Sequence, residues 1–290
     1  MTWSTRRGTL DLTRHARVMG ILNVTPDSFS DGGLHLQPAL ALAHARRMIA
    51  EGAVLIDVGG ESTRPGSLPV EAGEEIARTA PLIRALRAEW DGWISIDTSK
   101  AEVAAAALAA GADVVNDVSG LRADPAMPGL CAAAGCAVVV MHMQGEPRTM
   151  QVAPVYEDVV AEIAGFFHER LERLSAAGIR PEAICFDPGI GFGKTLEHNL
   201  ALLRALDRLV PAGRPMLLGV SRKSFIAGIL GGGEPAMRDW PTVAVSSFAR
   251  EWGVMLHRVH AVQANVQALR MVEAILHAGP PSGFKDGGSV

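Results

Sequence analysis

Apolar residues cluster in eight short runs rich in Val, Ile and Leu: 18–24 (VMGILNV), 54–59 (VLIDVG), 93–98 (WISIDT), 113–119 (DVVNDVS), 137–143 (AVVVMHM), 184–188 (ICFDP), 215–221 (PMLLGVS) and 254–260 (VMLHRVH). Runs that are continuous rather than alternating predict parallel strands covered on both faces. Helical spacing and good helix formers fill the intervals, at 38–51, 74–89, 100–110, 126–134, 155–177, 197–208, 241–252 and 262–277. Eight strands, each followed by a helix, predict an α/β fold closed as a single-domain (β/α)8 TIM barrel over 18–278, after a lead-in at 1–17. A doubly wound open sheet is the alternative, because strand count alone does not show closure. The tail 279–290 (GPPSGFKDGGSV) reads as disordered.

Polar residues end strand after strand: Asn23, Asp57, Asp97, Asn116 with Asp117, His142, Asp187, Ser221, then Arg258 and His260. In an α/β barrel those ends face the loops that build the active site, so the ordering predicts one shared pocket. In the last strand a period of two puts Arg258 and His260 on one face and His257 with Val259 on the other.

Composition narrows the class. The chain has 290 residues, 48% hydrophobic and 20% charged, with a formal net charge of −4. That charge argues against non-specific attraction to nucleic acid, so an anion site must come from local placement of bases. Cys131, Cys136 and Cys185 are too few and too irregular for a disulfide framework or zinc site and read as buried apolar side chains. No secretory signal or membrane-spanning stretch is expected, and the profile is that of a cytoplasmic enzyme.

Several strings carry chemistry. Arg258 offers a planar fork and His260 a second donor, a pair suited to phosphate or diphosphate oxygens; alternatively, His260 caps the last helix and Arg258 pairs with a surface acid. At the seventh strand's end, Arg222, Lys223 and Ser224 in GVSRKSFI lead into an apolar helical turn, where donor side chains and free N–H groups favour an anion. Asn23 opens a Ser-rich loop containing Phe29, which reads as a lid. Its carbonyl suits Mg²⁺ with diphosphate oxygens completing the shell, although a ligand-free Asn-Val-Thr-Pro turn explains the same residues. Asp57, Asp97 and Asp187 are buried carboxylates that an aminopyrimidine-like ring, with its adjacent N–H donors, would satisfy. Around Asp187, the glycines of FDPGIGFGK suggest room for a flat ring, and the string lacks the spacing of a nucleotide phosphate loop. Thr63 and Arg64 lie on a second loop, braced by Glu61.

Together NVTPDSFSDGG, IDVGGESTRPG, ISIDTSK, VNDVSG, MHMQG, DPGIGFGK, SRKS and RVH, in order from about Val18 to Leu276, resemble the dihydropteroate synthase family. The resemblance implies condensation of (7,8-dihydropterin-6-yl)methyl diphosphate with 4-aminobenzoate by SN1-like loss of diphosphate. It implies Asn23 as the Mg²⁺ ligand, Asp97, Asn116, Asp187, Lys223 and Arg258 around the pterin, and Asn23, Thr63, Arg64, Arg258 and His260 at the diphosphate. Phe29, Thr63, Pro65, Phe192 and Ser224 would line the aminobenzoate site, and Asp97, Asp187, Lys223, Arg258 and His260 would carry catalysis. The family is a sulfonamide target and forms homodimers through its later helices.

Two positions depart from the family pattern, Ala261 after RVH, where an acid is usual, and Trp252 before the last strand. A non-catalytic pterin-binding paralogue, or a pterin-dependent methyltransferase of the same superfamily, are the competing readings. Neither releases diphosphate.

Overall fold

The computed structural model describes residues 1–25, 37–63, 66–146 and 149–278. Phe29 and its loop, Arg64, Pro65 and the tail 279–290 lie outside the described residues.

The chain opens with an antiparallel hairpin, β1 (Thr2–Thr5) and β2 (Gly8–Asp11), absent from the sequence expectation. Strands and helices then alternate: β3 (Arg17–Asn23), α1 (Gln37–Ala50), β4 (Leu55–Gly59), α2 (Ala72–Glu89), β5 (Trp93–Asp97), α3 (Ala101–Ala110), β6 (Val114–Asp117) and α4 (Met127–Ala134). They continue through β7 (Ala137–Met141), α5 (Val159–Ala176), β8 (Ile184–Asp187), α6 (Leu196–Leu203), β9 (Leu217–Leu218), α7 (Ser224–Leu230), α8 (Asp239–Glu251), β10 (Leu256–Val259) and α9 (Val262–Leu276). The parallel sheet runs β8-β7-β6-β5-β4-β3-β10-β9. Closure is completed by a bridge between Phe186 and Met216, where the Phe186 N–H donates to the Pro215 carbonyl at 3.0 Å. The barrel, not the open sheet, is the fold.

Why the strands read as continuous apolar runs is visible in their two faces. Ile56, Val58, Ile94, Ile96, Val115 and Val138 point outward into the layer beneath the helices. Met19, Leu55, Val114, Ala137, Val139, Cys185 and Leu217 fill the interior near the strands' N-terminal ends. Two positions further along, the inward residues become polar, Leu55 giving way to Asp57 and Val114 to Asn116. The barrel therefore has an apolar floor and a polar mouth.

The hairpin seals that floor. Trp3 is fully buried, packs against Trp93 at 5.8 Å between ring centroids, and donates its indole N–H to the Ala183 carbonyl at 2.9 Å. Other departures have local causes. The predicted strand over 215–221 shrinks to two residues because Pro215 has no N–H to donate and the chain turns at Val220, whose carbonyl accepts from the Lys223 N–H. The helix expected from 155 begins at Val159, capped by Asp158, which accepts from the N–H groups of Val160 and Ala161. The helix expected over 197–208 ends at Leu203, with a separate 3₁₀ turn at Leu206–Arg208. All three cysteines are free and buried, as expected. No helix among the described residues is long and apolar enough to cross a membrane.

Candidate active site at the barrel mouth

The strand register places Asn23, Gly59, Asp97 and Asn116 side by side across four neighbouring strands. Gly59 is what lets its neighbours approach: a Cβ there would sit 3.2 Å from Asn23 Oδ1 and 3.6 Å from Asp97 Cβ. Two residues before Gly59 on β4, and so on the same inner face, lies Asp57, fully buried.

Arg258 reaches across to these acids. Its Nε donates to Asp57 Oδ2 at 2.6 Å and its Nη2 to Asp97 Oδ2 at 2.7 Å, while Asn116 Nδ2 donates to the same Asp57 oxygen at 3.1 Å. The partners are buried carboxylates rather than the surface acid weighed from the sequence. The second oxygens, Asp57 Oδ1 and Asp97 Oδ1, are buried and accept no hydrogen bond. Such orphaned acceptors cost free energy unless a donor meets them, so they mark where a ligand with N–H groups fits. Burial, reinforced by the Asp57 charge and opposed by Arg258, pushes Asp97 up to about 7. Asp57, whose carboxylate joins Asn116 to Arg258, belongs to the centre of this network; its residue type and strand-end position marked it from the sequence, although the resemblance gave it no role.

On the other side of the mouth, Asp187, Lys223 and Arg258 converge around Gly219, where a Cβ would lie 3.5 Å from Asp187 Oδ2, 3.9 Å from Lys223 Nζ and 4.0 Å from Arg258 Cβ. Burial raises Asp187 above the usual carboxylate range, against the pull of Lys223 and the Gly189 N–H, which donates to its Oδ1 at 2.7 Å. Burial also draws Lys223 down to about 8. Its Nζ donates to the Ile190 carbonyl at 2.5 Å and lies 4.5 Å from the centroid of the Phe192 ring.

Two glycines of DPGIGFGK make room for neighbouring backbone. A methyl at Gly189 would overlap the His142 carbonyl oxygen, and one at Gly193 the Gln144 carbonyl. Both also have left-handed backbone, at φ +64° and +61°. These two admit the backbone of the chain leaving β7, while a Cβ at Gly191 would meet the Lys223 side chain at 3.2 Å. His142 itself receives a hydrogen bond from the buried Lys194 and packs edge-on against Phe166 at 4.9 Å.

Of the basic pair in SRKS, only Lys223 turns to the acids. Arg222, at φ +60°, forms a two-pronged ion pair with Asp239 at 2.7 and 2.8 Å. Ser224 is the exposed first residue of α7. His260 does not cap the last helix, whose N-cap is Ala261 without a side-chain bond; its Nδ1 pairs with Ser221 Oγ at 2.9 Å, and its N–H donates to the same oxygen at 3.2 Å. Ser221 therefore orients His260 where the family pattern would offer an acid at 261.

Beside Asp97 opens a cavity of about 990 Å³, lined also by Thr63, Ser119, Arg122, Met143 and Gln144 among others; Asp57, Asp187, Lys223 and Arg258 lie outside its lining. Its rim is braced by Lys100, which pairs with Glu61, with Glu75 Oε2 at 2.7 Å and with the Val70 carbonyl at 2.7 Å. Glu61 thus supports the loop, as expected. Among the described residues no group of three or more His, Cys, Asp or Glu side chains could hold a metal ion. Asn23 offers one amide oxygen at the mouth's edge, which fits an ion that takes its remaining oxygens from a diphosphate and water.

A family model described as "Pterin binding enzyme" matches residues 19–260. The dihydropteroate synthase of Escherichia coli (strain K12) is 47% identical over 269 residues, 93% of this chain and 94% of the relative. Among solved structures, Yersinia pestis dihydropteroate synthase with a sulfonamide drug complex superposes with a TM-score of 0.90 at 46% identity, covering 96% of this chain and 100% of that one. Xanthomonas albilineans dihydropteroate synthase with 4-aminobenzoic acid gives a TM-score of 0.88 at 45% identity, covering 93% and 96%.

Proposed function

Because the chain belongs to the pterin-binding enzyme family, we propose that it catalyses the dihydropteroate synthase reaction, joining 4-aminobenzoate to (7,8-dihydropterin-6-yl)methyl diphosphate with release of diphosphate, in folate biosynthesis. The observation that carries this reading is the mouth itself. Two buried carboxylates with orphaned oxygens, Asp57 and Asp97, face a third, Asp187, with Arg258 and Lys223 between them. A bicyclic aminopyrimidine supplies donors to the acids, and a diphosphate needs the cations.

The roles follow from charge. Loss of diphosphate from a methylene on an electron-rich dihydropterin leaves a cation delocalised over the ring. Asp97 and Asp187 stabilise that charge, Asn116 holds the acids in register, and Arg258, Lys223 and His260 take charge developing on the leaving oxygens. Asn23 would hold a magnesium ion, which when bound neutralises diphosphate charge. The aminobenzoate then attacks from the side of Phe192, Ser224 and Thr63; the resemblance adds Phe29 and Pro65 to this group and Arg64 to the diphosphate, all three outside the described residues. Closing the mouth against water keeps water from capturing the cation.

We read the chain as a homodimer. Trp240 is 76% exposed on α8, and Phe248 on α8, Trp252 just after it, and Met271 and Ile275 on α9 are also exposed, an apolar surface suited to a second copy. The later helices are the elements the resemblance assigns to the dimer.

Diphosphate release by the purified chain with the dihydropterin diphosphate and Mg²⁺, with and without 4-aminobenzoate, tests the activity. Aminobenzoate-dependent release, inhibited by a sulfonamide, is expected; pterin binding without dihydropteroate formation would mark a non-catalytic binder. Light scattering in solution checks for the dimer.

A further inference from the structure

Lys194 is 3% exposed, and its three hydrogen-bond partners are all uncharged. Nζ donates to the Phe192 carbonyl at 2.9 Å, to the His142 carbonyl at 3.2 Å and to His142 Nδ1 at 3.2 Å. Burial and the neighbouring cations hold His142 at about 3, so its ring is neutral and Nδ1 is free to accept. An amine kept so far from water is costly where a Met or Leu would pack as well, burial and the Lys223 charge draw it down to about 7, and its bonds go to the carbonyls of two backbone segments and to the His142 ring. Those segments are the end of β7 and the turn 189–193.

The turn is tied on either side of Phe192, where the Gly191 N–H donates to Asn199 Oδ1 at 2.8 Å and the Tyr156 hydroxyl donates to the Gly193 carbonyl at 2.8 Å, but it is Lys194 that holds the Phe192 carbonyl itself. The turn's backbone is seated against the carbonyls of His142 and Gln144 by the two left-handed glycines, and the Phe192 N–H closes on the Gly189 carbonyl at 3.0 Å. Lys223 takes the Ile190 carbonyl at one end and Lys194 takes the Phe192 carbonyl at the other. Between these ties the Phe192 ring lies against Lys223 and the apolar cluster of Val118, Met141, Met143 and Met150.

We propose that Lys194 is a positioning residue for the aminobenzoate half of the site: by tying the Phe192 carbonyl to His142, it sets the height of the Phe192 ring against which the arylamine stacks. The proposal rests on the dihydropteroate synthase reading. It separates the two substrates by contact, because Lys194 has no hydrogen bond to Asp57, Asp97 or Asn116 on β4, β5 and β6, and among the pterin acids only Asp187 on β8 feels its charge.

The test is steady-state kinetics of diphosphate release for wild type, Lys194→Met, Phe192→Leu and the double variant. Lys194→Met keeps the side-chain length and removes the donors. Expected is a rise in KM for 4-aminobenzoate of about tenfold or more, the scale of a small misplacement of a positioning group, with KM for the dihydropterin diphosphate changed by less than about threefold. The double variant should be no worse than Phe192→Leu alone, since Lys194 acts through that ring. Equal rises in both KM values, a loss confined to kcat, or additive effects overturn the proposal. Should Lys194→Met not accumulate folded, Phe192→Leu decides alone, and an unchanged KM for 4-aminobenzoate overturns it. A wild type that releases no diphosphate in the presence of aminobenzoate defeats the functional reading instead.

Discussion

Arg258→Met should destabilise the chain by an amount that depends on pH. The guanidinium side chain is 19% exposed and meets Asp57 at 2.6 Å and Asp97 at 2.7 Å. Methionine keeps much of the stem but strands two buried carboxylates, and removing one partner from a buried charge pair costs about 3–5 kcal/mol. Asp97 is already pushed up to about 7 by burial, with Arg258 pulling the other way, so its loss raises Asp97 further. A carboxyl whose folded value lies above its unfolded value takes up a proton on folding. Its contribution to stability is therefore present at low pH and is lost as pH rises between the two values, at up to about 1.4 kcal/mol per pH unit for each group. In the wild type that window runs from about 4 to about 7. In the variant it extends upward, so the penalty should be greater by about 2 kcal/mol near pH 8.5 than near pH 5.5. Urea unfolding of both proteins at the two pH values, at one ionic strength, measures it. Equal losses at both would refute the reasoning, because the acids would then not be carrying charge. Turnover should fall by about 10²-fold or more, and a matching loss of pterin affinity would place Arg258 in ring recognition rather than at the leaving group.

Three further outcomes follow from the same geometry. Lys223 loses its proton as pH rises through about 8, so KM for the dihydropterin diphosphate should climb above that pH, and Lys223→Arg should flatten the rise; an unchanged profile would remove Lys223 from the anion site. Gly189→Ala, which forces a methyl onto the His142 carbonyl from a left-handed backbone, should cost about 3 kcal/mol or more in unfolding free energy. Trp3→Ala should remove about 3–5 kcal/mol of stability by opening the barrel floor, while KM for both substrates stays put; a change in KM would couple floor to mouth.

The eight barrel strands were legible because their outer faces are apolar throughout and their inner faces are apolar at the N-terminal ends, as Met19, Leu55 and Val114 show. The β1–β2 hairpin was not. Its strands have four residues each, and Trp3 and Leu12 are the buried apolar side chains that dock it, with Leu10 partly buried beside them. The same rule that hid the hairpin exposed the site: inward-facing polar residues cannot be packed away at the end of an apolar strand, so Asn23, Asp97, Asn116 and Asp187 stood out one by one.

What the sequence could not separate was a residue that meets a ligand from one that meets another residue. Arg258 read as a fork for an anion, and an anion is what it holds, but the carboxylates of Asp57 and Asp97 are 201 and 161 positions away. Lys194 read as part of a glycine string, while its partner His142 lies 52 positions earlier and becomes a neighbour only because β7 and β8 pair. Gly189 and Gly193 were read as space, and the space is occupied by those same strands' continuations. Ser221, read from the sequence as one more polar strand end, turns out to pair with His260. Each of these acts through a contact that closure of the barrel creates. Such positioning groups stay hidden until the register is known, whereas the groups they position are exposed by the chemistry of their own side chains.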